Sequence, residues 1–151
     1  MENEKNLQKF PQFLRNAFTE RGLDFPDGTE WEYDGILAYR VVEWYDGRSG
    51  YACASDFLSK AQKDSAAGKK KREKSPLPLD DARYYGISLS KNASQLKNIC
   101  KLPKPKRRLC KGNIVKEGGP IYTIDGEDHV TWWLYDNTES LLQENFVIEP
   151  E

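Results

Sequence analysis

A chain of 151 residues is long enough to bury one hydrophobic core and too short for two comfortable ones. Four Trp, eight Tyr and six Phe supply aromatic surface for that core, so a charged fraction of 31% does not imply general disorder. The net charge of −1 hides a segregation: six basic against eleven acidic residues over 1–59, seventeen against four over 60–116, and none against nine over 117–151.

Near-neutrality therefore excludes neither a nucleic-acid nor an acidic protein partner for the middle segment. The same segregation also allows an internal account, in which the acidic last third folds against the basic middle. The N-terminal stretch Met1–Phe10 carries charges of both signs and lacks the apolar run of a signal peptide or membrane span, so a cytoplasmic protein with no membrane partner is expected. Cys53, Cys100 and Cys110 are odd in number and show no CxxC spacing, which reads as reduced structural thiols.

Phe10, Phe13, Leu14, Ala17 and Phe18 recur at helical spacing, with Pro11 suited to a first helical position and Gly22 to a C-terminal cap. An amphipathic helix over roughly 6–21 follows. Ile36 to Trp44 is dense in strand formers and reads as a central strand buried on both faces, broken by Arg40 and Glu43. Asp46-Gly47 marks a turn, and Ser55 is placed to cap a short helix carrying Phe57, Leu58 and Ala61.

Residues 62–80 read as an exposed, mobile basic insertion, because Lys69, Lys70, Lys71, Arg72 and Lys74 repel one another and Pro76 and Pro78 follow. Tyr84–Ser90 resumes strand chemistry. Asn92 with Gln95 forms a capping-box pattern for a helix carrying Leu96, Ile99 and Cys100. Leu102–Lys111, with Pro103, Pro105, Lys104, Lys106, Arg107 and Arg108, reads as a second solvent-facing basic loop.

Strands are expected at about Leu109–Val115, Ile121–Ile124, Val130–Tyr135 and Phe146–Ile148, with a helical turn capped by Thr138 between the last two. The order of elements predicts an α+β fold: a single domain over 1–151, with a mixed, mostly antiparallel sheet flanked by the N-terminal helix and one or two short helices.

His129 is the single histidine, the side chain best suited to proton exchange near neutrality, and it stands where a turn enters a strand. A surface or hydrogen-bonding histidine gives the same pattern. No source of three or four metal ligands is visible, so no metal is expected, and the motifs of serine-hydrolase elbows, P-loops and dinucleotide-binding glycine loops are absent. Arg40 interrupts an apolar strand, where a buried guanidinium demands an acceptor: Glu43, a carboxylate from the acidic last third, or a ligand anion. Ser88 and Ser90 share one side of their strand, and Gly86 permits close backbone approach before them.

The strand arginine in Leu37-Ala38-Tyr39-Arg40-Val41, the run Tyr85-Gly86-Ile87-Ser88-Leu89-Ser90 and a late glutamate resemble the ADP-ribosyltransferase pattern. The resemblance implies an arginine that binds NAD, a serine strand that supports the nicotinamide pocket, and a glutamate that orients the transfer, a role left to Glu144 or Glu149. Leu89 stands where that pattern has a central threonine.

Two other classes are open. Lys69–Lys74 and Lys101–Lys111 could neutralise nucleic-acid phosphates, with Tyr84 and Tyr85 for stacking. Alternatively, the same loops with an aromatic strand of Trp44, Trp132, Trp133 and Tyr135 could engage a protein or nucleoprotein partner. A small non-enzymatic accessory protein of this last kind, needing no cofactor, is the reading that composition and patterning favour, with an NAD-dependent enzyme built on Arg40, Ser88, Ser90 and His129 as the alternative. Convergence of Arg40, Ser88 and His129 on one pocket separates the two.

Overall fold

A computed structural model describes residues 7–59, 61–63, 81–101 and 106–149. Helix α1, Gln12–Arg21, turns its Leu14 and Phe18 inward and ends where Gly22 takes a left-handed backbone (φ 62°), the conformation glycine adopts at least cost. Pro11 lies one position outside the helix, as its N-cap.

Six strands follow: β1 (Ile36–Glu43), β2 (Ile87–Ser90), β3 (Arg107–Ile114), β4 (Ile121–Thr123), β5 (His129–Trp132) and β6 (Phe146–Ile148). Helix α2, Ala93–Cys100, joins β2 to β3, and α3, Glu139–Asn145, precedes β6. The strands form one sheet in the order β4-β5-β2-β1-β3-β6, every pairing antiparallel. This is the α+β arrangement that the order of elements implies, with no parallel pair among the described strands.

The sheet is unevenly joined. β1 and β3 run together over eight registered pairs, from Ile36–Ile114 to Glu43–Arg107, and β2 pairs with β5 over four. Between β1 and β2 a single pair, Tyr39–Ser90, is in register. The sheet thus consists of two three-stranded halves that touch at one rung.

Apolar side chains gather in two clusters, the first of which spans both halves. A first cluster gathers Ala38, Val42, Ile87, Leu89, Ile114, Val130, Trp132 and Phe146. A second holds Phe10, Leu14, Phe18, Phe25, Tyr84, Tyr85 and Trp133 beneath α1. Trp132 and Trp133 are adjacent in sequence and fall into different clusters, as alternation along an extended chain requires. Both are fully buried.

Several local expectations are corrected. β1 is not buried evenly on both faces: Ala38, Arg40 and Val42 are buried, whereas Leu37 and Glu43 are exposed, the alternation of a strand with one core face. Ser55 caps nothing. Cys53 precedes a 3₁₀ turn, Ala54–Asp56, whose Asp56 carboxylate accepts from the Cys53 amide. Ser59 forms a reciprocal pair with Gln62, whose amide donates to the Ser59 hydroxyl at 3.1 Å while its side chain accepts from the Ser59 amide at 2.9 Å.

Tyr84 and Tyr85 belong to a 3₁₀ turn, Ala82–Tyr85, before β2 begins at Ile87. Asn92 caps α2 as expected, accepting from the Ser94 amide at 2.9 Å. Arg107 and Arg108 are in a strand and not in a loop, because they complete the β1 ladder opposite Glu43 and Val42. Residues 64–80, with Lys69, Lys70, Lys71 and Arg72, and residues 102–105, with Lys104, lie outside the described residues.

Candidate active site

The site begins with Arg40. Its residue is 8% exposed, and its guanidinium donates from Nε to the Asp56 carbonyl (2.7 Å), from Nη1 to the Ser88 carbonyl (2.6 Å) and from Nη2 to the Leu58 carbonyl (2.9 Å). These acceptors are backbone oxygens, where the sequence led us to expect a carboxylate. The reason is positional. Beyond the Tyr39–Ser90 rung β1 and β2 no longer pair, so the Ser88 carbonyl lacks a strand partner on that side, and the planar fork of the arginine reaches it.

Burial lowers the Arg40 pKa to about 10, with Cys110 and Asp56 partly offsetting the effect, which leaves the group charged at neutral pH. Asp56 does not itself pair with Arg40. Its carboxylate is held by Arg48 in a two-pronged ion pair at 2.8 and 3.0 Å. Burial opposes the Asp56 charge, but hydrogen bonds from Arg48 and Cys53 outweigh it and keep the carboxyl below its usual range.

β2 projects Ser88 and Ser90 to one side of the sheet, and β5 runs alongside with Thr131 opposite Ser88 and His129 opposite Ser90. The imidazole leans back along the ladder, and His129 Nε2 is hydrogen-bonded to the Ser88 hydroxyl. With the ring proton on Nδ1, Nε2 accepts the serine hydrogen, the arrangement of a nucleophile and its base. Burial lowers the His129 pKa, only partly countered by the nearby Glu127 carboxylate, so the neutral, proton-accepting ring prevails at neutral pH. Ser90 turns to the local backbone and donates to the Asn92 carbonyl at 3.0 Å.

Arg40, Ser88, Ser90 and His129 all line one groove of about 580 Å³, walled by Leu96 and Ile99 of α2 and by Glu127 and Asp128 of the β4–β5 turn. On the other side of the Ser88–His129 pair a second groove of about 620 Å³ is lined by Arg83, Lys63, Tyr122 and Thr131 as well as by Arg40, Ser88 and His129. Both are of a size that takes small molecules. Among the described residues, no group of three His, Cys, Asp or Glu side chains could hold a metal ion, and no helix is long and apolar enough to cross a membrane.

The enzyme-type residues predicted from sequence are thus brought together, and the residues assigned to a partner surface fare differently. Trp132 and Trp133 cannot present a binding face. Trp132 donates to the Gly119 carbonyl and Trp133 to the Ala82 carbonyl from inside the core. Truncating either would cost about 3–5 kcal/mol of stability, a folding defect and not a loss of contact. Arg108 lies over the Trp44 ring at 3.8 Å, so its charge is stacked against the protein's own aromatic surface. Lys106 is exposed immediately before β3.

Glu144 is on α3 and Glu149 follows β6, at the sheet edge two strands beyond β1; neither lines the groove. The carboxylates that do are Glu127 and Asp128, which the sequence reading did not assign to the site. Their signal was their place in the turn that leads directly into His129. Comparison of the chain with family models, curated proteins and solved structures gives no match.

Proposed function

We propose that the groove binds NAD and supports ADP-ribosyl transfer. The observation that carries this reading is the convergence of a strand arginine, Arg40 of β1, with Ser88 of β2 and His129 of β5 at one groove. The resemblance gives the first two roles to a strand arginine and a serine strand, and β1 and β2 are neighbours in the sheet. In this reading Arg40 holds β1, β2 and the 54–58 turn together and keeps a positive charge beneath the groove, where the NAD pyrophosphate is anionic. Ser88 offers a hydroxyl to the nicotinamide end. Glu127 takes the orienting role first assigned to Glu144 or Glu149.

The transfer breaks the C1′–N bond of NAD and releases neutral nicotinamide. The acceptor oxygen or nitrogen bonds to C1′, and its proton passes to the neutral His129 ring or to Glu127. The accessory-protein reading is less well supported: Trp132 and Trp133 of its aromatic arm are buried, and among the described residues it retains the half-buried Trp44 and Tyr135 with Lys106, Arg107 and the stacked Arg108.

Calorimetric titration with NAD, coupled to chromatographic detection of nicotinamide, tests the proposal. Wild-type protein should bind NAD and release nicotinamide, and Ser88→Ala and His129→Gln should each slow release by about a hundredfold with unchanged circular dichroism. If no NAD binds, or both variants turn over like wild type, the enzyme reading is wrong and the accessory reading takes its place.

A further inference from the structure

A third groove, about 610 Å³, continues from the two that flank Ser88 and His129, with which it shares Leu58, Val41 and Lys63 as walls. It ends at Arg107, Arg48 and Tyr45. Arg48 is spent on Asp56 and on the carbonyls of Glu43, Ser49 and Tyr51. Arg107 is different, because its Nη1 is buried and has no hydrogen-bond partner in the protein. Glu43 stands opposite it in the β1–β3 register, yet no ion pair forms between them.

An orphaned, buried guanidinium nitrogen is costly unless an acceptor completes it, and a planar fork suits phosphate oxygens. Arg15 also carries a buried Nε without a hydrogen-bond partner, but it lines none of these grooves. The Asp56–Arg48 pair is internally neutral, and Arg107 stands beside Glu43 on the groove wall. Tyr45, 62% exposed, has its ring 5.6 Å from the Arg48 guanidinium, which props one face of the ring and leaves much of the remainder to solvent. A flat aromatic surface beside a phosphate acceptor is how single nucleotides are held, the base stacking and the phosphate ion-pairing.

We infer that this end of the groove is a nucleotide subsite, with the phosphate on Arg107 and the base on Tyr45. The site itself stands on Arg107 and Tyr45; its place in catalysis rests on the NAD reading. The nucleotide is then either the adenylate half of NAD or a nucleotide of the acceptor, and the two are separated by competition.

Adenosine monophosphate is the probe, titrated into the full-length protein and followed by calorimetry and by tyrosine fluorescence. Binding should weaken about tenfold in Arg107→Gln and in Tyr45→Ala, the latter an exposed position whose truncation leaves the fold intact. Displacement of the probe by NAD identifies the cofactor's own adenylate, whereas simultaneous binding identifies an acceptor site; either supports the subsite. If the probe binds in this manner and NAD does not bind at all, the subsite stands and the NAD reading fails. If the probe does not bind, or binds both variants as it binds wild type, the subsite is wrong, whatever NAD does.

Discussion

His129 shows how one residue's surroundings set its chemistry. Its ring is lowered from the ordinary value of 6.5 by burial, so the folded protein takes up a proton less readily than the unfolded chain. The contribution to stability is therefore complete above 6.5 and is lost as pH falls through that value and then through the folded pKa. Two effects should follow on the acid side. The melting temperature should drop as pH falls from 6.5 to the lowered pKa, and nicotinamide release should decline below that pKa as the base is protonated. His129→Gln should remove that acid-side drop in melting temperature, and a melting curve that keeps it in the variant would assign the drop to other groups. Asp56 is held below its ordinary range, because hydrogen bonds from Arg48 and Cys53 outweigh the burial that opposes its charge.

At the scale of elements, Arg40 acts as a substitute for a missing ladder. Three carbonyls from β2 and from the turn after β1 depend on it, and Arg40→Ala would strand all of them in a poorly hydrated place. Each such loss costs about 1–3 kcal/mol, so the variant should lose on the order of 3–5 kcal/mol by urea denaturation, while Arg40→Lys recovers only part of it because one ammonium cannot serve three divergent carbonyls. A loss under about 1 kcal/mol in Arg40→Ala would show that water replaces the guanidinium.

The sequence made Arg40 conspicuous and identified its need for an acceptor, but it could not name carbonyls, which belong to no residue type. Helix α1 with its Gly22 cap, strand β6 and the Asn92-capped helix were legible because their signals are local. Arg107 and Arg108 misled for the opposite reason. Their neighbourhood of lysines and prolines reads as a solvated loop, whereas pairing with β1 and stacking on Trp44 are long-range facts. Glu127 and Asp128 stand next to His129 in the sequence, but that they share a groove with Arg40 and Ser88 depends on the β2–β5 register, which no single stretch of sequence contains.

For the whole molecule, the charge segregation along the chain is resolved by strand order. Strands β4, β5 and β6 of the acidic last third are divided between the two ends of the sheet, and they enclose β2 and β3 from the basic middle. Among the described residues, no ion pair links those two segments, so mixing in space does the neutralising.

The single Tyr39–Ser90 rung has a further consequence. A sheet held by eight pairs on one side of β1 and by one on the other has its weakest ladder at that seam, which divides it into two plates over one shared core, with Arg40 bridging them. Amide exchange should therefore be faster at Ser88, Ser90 and Tyr39 than at Cys110 or Val130, and filling the groove should slow it at the first three alone. Uniform protection across all five amides would mean the plates are fused. Because the Ser88–His129 pair rides on one plate and Tyr45 with Arg107 on the other, a ligand long enough to touch both would act as a strut, fixing the angle at which the two plates meet.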